Sequence, residues 1–213
     1  MHGIAVTGPN NPDNRKEVVN PSERVQARFA ASIEVNRHAA ESQAAAIADA
    51  AQTIVTSLLG GGKVLSCGNG CSAADAQYFA AHMQHRFERD RPGLPALALN
   101  SDAAILTAIA VDDGFDAVFA KQIGALGHPG DVLLALSING TASNMTNALA
   151  AARERQMRVV ALSDHAEDSV AIHLAHGDIA IRAPATDPSL VLENHRLVLH
   201  CLCDLVDLHL MGG

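Results

Sequence analysis

The hydrophobic pattern divides the chain into a long helical front and an alternating back. Residues 1–19 show no apolar periodicity and mix Gly, Pro and Asn, which reads as a flexible tail. "NPSE" then opens a helix, with Asn20 as cap and Pro21 in the first turn. Apolar side chains recur at helical spacing through Val25, Phe29, Ile33 and Val35. They continue through Ala44, Ile47, Ala51, Ile54 and Leu58. The stretch 36–42 predicts a bend or break, giving two helices or one long one, and Gly60, Gly61 and Gly62 end the segment.

Beyond that point short apolar runs alternate with helical patterns. The runs are 63–67, 95–99, 131–137, 158–163 and 178–183. Helices are expected at about 72–88, in two pieces across 101–127, at about 143–155 and at about 189–210. Short apolar strands separated by helices predict a parallel sheet covered on both faces, an α/β sandwich of three layers formed by residues 20–213 as one domain.

Two strand ends carry polar, glycine-containing loops, "SCGNGCS" (66–72) and "SINGTAS" (137–143). In a parallel sheet ligands sit beyond the carboxyl ends of the strands. Small residues there let backbone amides approach an anion, and the following helix presents its positive end. Neither loop is a GxGxxG or a Walker sequence, so nucleotide binding is not indicated.

Composition narrows the partners. Apolar residues make up 48% of 213 and aromatics 3%, with no Trp, so Ala, Leu and Val must fill the core. The net charge of −8 argues against a sequence-independent grip on nucleic acid or on an anionic membrane. The four cysteines, Cys67, Cys71, Cys201 and Cys203, lack a standard zinc spacing and read as reduced thiols of a cytoplasmic protein. Neither a signal peptide nor an apolar stretch of membrane-spanning length is visible in the sequence.

The stretch "CGNGCSAADAQYFAA" (67–81), in its order with the second loop, resembles the sugar isomerase (SIS) family, over nearly all of the chain from about residue 22. Two branches are similar in pattern, the phosphoheptose isomerases and the DnaA initiator-associating proteins. Residues 99–137 and "CLCDLVD" (201–207) look most like the second branch. The resemblance implies a five-stranded parallel sandwich and a homotetramer built through the long N-terminal helices.

The resemblance also implies where an isomerase would hold its metal and base. Moving a proton between adjacent sugar carbons needs an acid and a base flanking an enediol, and a cation helps hold the developing charge. The family motif H-F-A-x-E falls on Tyr78 and His82, and its Q-x₇-H falls on Leu192 and His200. One matched ligand cannot hold the zinc, so no metal and no cofactor are expected unless the isomerase reading holds. His82 and His200, with His85 or Glu193 assisting, could form a rearranged acid–base set. The other reading is one histidine packed on the core and one solvated. Phosphosugar contacts are expected from Ser66, Asn69, Gly70, Cys71, Ser72, Ser137, Asn139, Gly140, Thr141 and Ser143. Ile138, Asn139 and Ala142 stand at positions that carry hydroxyls in the isomerases, which weakens such binding.

The resulting expectation is a non-catalytic tetramer that binds the DnaA initiator, promotes replication initiation and keeps a weak hold on a sugar phosphate. It would touch neither nucleic acid nor membrane directly. The alternatives are a phosphoheptose isomerase acting on sedoheptulose 7-phosphate through a rearranged site, and a sugar-phosphate sensor. At the chain's end Leu208 is expected to cap the core, and Leu210 and Met211 to be exposed for a partner.

Overall fold

The computed structural model describes residues 20–138, 142–165 and 170–212. The expected tail at 1–19 lies outside the described residues. Helix α1 runs Pro21–Leu59, followed by β1 Val64–Gly68, α2 Cys71–Gln84, β2 Ala96–Ala98 and α3 Ala103–Asp112. A 3₁₀ turn at Phe115–Ala117 leads into α4 Val118–Leu126 and β3 Val132–Leu136. The chain continues through α5 Ser143–Glu154, β4 Arg158–Ser163, a 3₁₀ turn at Val170–His173, β5 Ile179–Arg182 and α6 Pro188–Met211. All five strands are parallel, in the order β2-β1-β3-β4-β5.

The strands are short and apolar because both faces are covered. Val64, Val132, Leu134, Val160 and Ile181 face one layer, where Ala51 and Ile54 of α1, Phe79 and Met83 of α2, and Leu199 and Leu202 of α6 pack on them. Leu65, Leu133, Ala135, Val159 and Ala161 face the other, against Phe119 and Ile123 of α4 and Met145 and Leu149 of α5. This is the two-residue alternation of a strand read from both sides.

Helix α1 is continuous over 39 residues, so of the two alternatives left open at 36–42 the one long helix is formed. The polar residues there carry neither Gly nor Pro, and they bond within the helix. Arg37 pairs with Glu34 and Glu41, and the Ser42 hydroxyl donates to the His38 carbonyl. The first half of α1 has no buried residue before Ala39. It displays Phe29 and Ile33 at 68% and 67% exposure, with Val25 on the same stripe.

Two ion pairs, one buried and one with its carboxylate buried, fix the frame. The Arg91 guanidinium is fully buried against Asp207 of α6, and it also donates to the His82 and Met83 carbonyls at 2.9 Å each. By satisfying those carbonyls it ends α2 at Gln84, four residues short of the expected end. Asp131, 2% exposed, accepts from the Lys63 ammonium at 2.6 Å and from the amides of Lys63 and His128.

The end of α6 corrects the expectation for its leucines. Leu210 packs partly against the core cluster, whereas Leu208 is 41% and Met211 47% exposed. Val206 is the last fully buried apolar residue of the core stripe, and Leu210 lies one turn beyond it on the same face.

Arg91→Ala is expected to lower stability by about 3–5 kcal/mol, because Asp207 is left as a buried unpaired charge. Urea unfolding measures this, and Arg91→Met with Asp207→Leu should recover most of it. For Asp131, burial pushes its pKa up, but the bonds from Lys63 and the His128 amide outweigh it and hold the carboxyl below its usual range. A depressed folded pKa contributes stability above the unfolded value, near ~3.9, and loses it as pH falls through the folded value. The stability gap between the protein and Asp131→Asn should therefore be full at pH 7 and shrink across the acid limb of a pH–Tm series.

Candidate functional site

The strand order reverses between β1 and β3: the chain leaves β1 toward β2 on one side, and β3 toward β4 on the other. A crevice opens at the carboxyl ends of these two strands, where the topology of a doubly wound sheet places its ligand. Gly68 is required there, since a Cβ would come within 2.8 Å of the Leu136 carbonyl and of the Ser72 backbone. Gly70, at φ +57°, turns the chain in the left-handed region and caps α2. Asn69 and Asn144 exchange two amide hydrogen bonds of 2.9 Å, tying the first loop to α5. From the other side the Asn100 amide brackets Gly68, donating to its carbonyl at 2.8 Å.

Helices α2 and α5 both begin at this crevice, and neither has a side-chain cap. Ser72, in the first turn of α2, is 1% exposed, and its hydroxyl has no hydrogen-bond partner among the described residues. Amide-bearing helix ends with an unsatisfied hydroxyl suit an anion such as a phosphate.

Beside this cradle lies a cleft of about 680 Å³ between α1, α2 and α6, lined by Asn36, Cys71, Asp75, Leu192, Glu193, Arg196 and His200 among others. Arg196 bonds Asp75 Oδ1 through Nε at 2.8 Å and also through Nη2. Its guanidinium carbon sits 4.0 Å over the Tyr78 ring. The Tyr78 hydroxyl and His200 Nε2 share a hydrogen bond of 2.9 Å. Burial first, then Arg196 and His82, hold the His200 pKa below the usual histidine value, which keeps the ring neutral near pH 7.

The positions to which the resemblance assigns a metal do not fit zinc. Leu192 has no donor atom, His200 Nε2 is bonded to Tyr78, and His82 Nδ1 shares a hydrogen bond with the Arg86 carbonyl at 3.1 Å. Among the described residues no three His, Cys, Asp or Glu side chains group to hold an ion.

The structure places several of the expected ligand residues at the crevice and others elsewhere. Gly70, Cys71 and Ser72 form the cradle, Ser137 lies buried at the end of β3, and Ser143 begins α5. Asn139, Gly140 and Thr141 lie outside the described residues. Ser66 does not face the crevice: it alternates onto the α2 side of the sheet, where its hydroxyl donates to the Ala76 carbonyl at 3.0 Å. His200 and Glu193 line the cleft, and the His82 ring packs edge-on between Tyr78 at 4.3 Å and Phe87 at 5.2 Å. His85 is exposed beyond the end of α2.

Sequence reading missed Asp75, Arg196 and Asn144. A signal existed for the first two, since 71, 75, 78 and 82 share one face of a helix, as do 192, 196 and 200. It also missed His195, fully buried with Nε2 3.1 Å from the Ser163 carbonyl, whose pKa burial pushes down.

Comparison with known proteins agrees with this fold. The SIS domain family profile matches residues 28–164. A phosphoheptose isomerase of Aromatoleum aromaticum is 49% identical over 189 residues, covering 89% of this chain and 96% of its own. The DnaA initiator-associating protein DiaA of Klebsiella pneumoniae is also 49% identical, over 185 residues, covering 87% and 94%. The structure of phosphoheptose isomerase GmhA from Neisseria gonorrhoeae superposes with a TM-score of 0.83 at 41% identity, covering 88% of this chain and 99% of that one.

The thiols give a test of cradle access. Burial pushes Cys67 and Cys203 up to about 12, and Cys201 is also raised, whereas Cys71 is exposed at the start of α2. Native-state alkylation followed by mass spectrometry should label Cys71 first, and Cys71→Ser should remove the fast phase.

Proposed function

The chain belongs to the SIS domain family, and on that premise we propose that it is a non-catalytic homotetramer of the DnaA initiator-associating type, keeping a residual phosphosugar cleft. The observation that carries this reading is the Tyr78–His200 hydrogen bond, which, with Leu192 nearby, occupies the positions where the resemblance puts the isomerase's ligands. Isomerisation needs a base and an acid poised on opposite sides of an enediol. Here Asp75 is taken up by Arg196, and the other cleft carboxylate, Glu193, is exposed.

The apolar stripe of Val25, Phe29 and Ile33 supports assembly of several copies through α1. A tetramer would offer the DnaA initiator several equivalent contacts, so modest individual affinities multiply. Leu208 and Met211, exposed on the last turns of α6, supply an apolar contact surface in place of the expected Leu210 and Met211 pair. The acidic balance of −8 suits a basic protein partner rather than nucleic acid, and the role is cytoplasmic. No helix among the described residues is long and apolar enough to cross a membrane.

A second reading, phosphoheptose isomerase, is favoured by the equal identity of relatives bearing that name. It would have to work through Tyr78, His82 and His200, whose rings lie within 5.7 Å of Tyr78.

The purified chain should turn over no sedoheptulose 7-phosphate, with or without added zinc, and should retain DnaA on an affinity resin. Leu208→Ser with Met211→Ser should weaken capture by about tenfold, roughly 1.4 kcal/mol, with circular dichroism and oligomeric mass unchanged. Turnover that vanishes in His200→Ala would instead establish the isomerase.

A further inference from the structure

We infer that Arg196 takes the place of a metal ion in this cleft, so that a phosphorylated polyol is held there without any divalent cation. The inference rests on reading the cleft as a phosphosugar site that does not catalyse. It begins from the misfit of the donor set. Of the four side chains at the family's metal positions, Leu192 has no donor, and the two histidines each have one ring nitrogen engaged, His200 Nε2 with Tyr78 and His82 Nδ1 with the Arg86 carbonyl.

Arg196 stands one helical turn from both Leu192 and His200, on the cleft face of α6. Its guanidinium is held from two directions. The carboxylate of Asp75, whose side chain is 5% exposed, fixes one edge, and the Tyr78 ring 4.0 Å away supports its face. A guanidinium carries five N–H groups. Bonds to Asp75 Oδ1 engage Nε and one N–H of Nη2, which leaves the two N–H groups of Nη1 and the second of Nη2. The side chain is 39% exposed and lines the cleft, which leaves it open to a ligand. An arginine pre-organised in this way loses little rotamer freedom when it binds oxygen ligands.

The arrangement selects the ligand. Free N–H donors accept no proton donor in return, so they suit hydroxyl, carbonyl or phosphate oxygens. The phosphate end belongs at the start of α2, where Ser72 has its unpartnered buried hydroxyl. Cys71 and Asp75 both line the cleft one turn apart, about 6 Å along the helix at 1.5 Å per residue. A polyol chain running from that phosphate along α2 reaches the guanidinium. Arg196 can hold its oxygens there, but it offers neither a vacant coordination position nor a base.

The test is titration of the full-length protein with sedoheptulose 7-phosphate by calorimetry, in EDTA and in added zinc. Affinity should be the same in both. Arg196→Met should weaken it by about tenfold or more, and Arg196→Lys should recover part of the loss, as expected of a charge without the planar fork. Because Arg196→Met strands a buried carboxylate, Arg196→Met with Asp75→Asn is the companion variant. It should fold with an unchanged circular dichroism spectrum and still bind weakly. Binding that needs zinc, a double variant that binds like the parent, or no binding of the sugar phosphate in any arm would each overturn the inference. DnaA captured by a protein that binds no sugar phosphate would leave the initiator-associating role standing and remove this inference together with the residual phosphosugar cleft.

Discussion

At Gly68 three backbones converge, those of β1, β3 and α2, and an added methyl would come within 2.8 Å of two of them. The close approach is what lets β1 and β3 stay paired up to Gly68 and Leu136 while α2 turns back over the sheet. From it follows the position of both helix starts, and hence the crevice between them. The Asn69–Asn144 exchange then locks the two loops in register, since each amide leaves its partner satisfied. Asn144 is 2% exposed, so the exchange also meets the hydrogen-bonding needs of a buried amide.

The same logic of satisfying buried polar groups shapes the cleft. Asp75 is nearly sequestered, and an isolated carboxylate there would be costly, so Arg196 is drawn onto it. That places the guanidinium over Tyr78, and it lowers the proton affinity of neighbouring His200. Tyr78, joined to His200 and stacked under Arg196, then has no freedom to swing into the cleft. The whole row from Asp75 to His200 is thus one coupled unit, in which the polar contacts fix geometry more than they add stability.

Much of the fold was legible because its signals are local. A parallel sheet buried on both sides must be written as short apolar runs, and all five runs became strands within a residue or two. The signals that failed were those decided at a distance. The end of α2 was set by Arg91, which reaches back from the following loop to cover two carbonyls. In the site, glycines and hydroxyls of the first loop were readable as a cradle. Asp75 and Arg196 meet across 121 positions of sequence, and nothing near either residue announces the other.

Why such a cleft can change its chemistry while the fold stays put is a matter of helix faces. On α2 the core takes Ala76, Phe79, Ala80 and Met83, and on α6 it takes Val198, Leu199, Leu202 and Val206. The cleft row takes Cys71, Asp75 and Tyr78 on one helix and Leu192, Arg196 and His200 on the other. The two sets interleave in sequence but point to different neighbours, so a substitution on the cleft row leaves the core undisturbed. Equal 49% identity to an isomerase and to an initiator-associating protein therefore does not by itself separate the two. On that row Asp75 is bonded to Arg196 and Tyr78 to His200, and the coupling runs across the cleft without touching the core stripes.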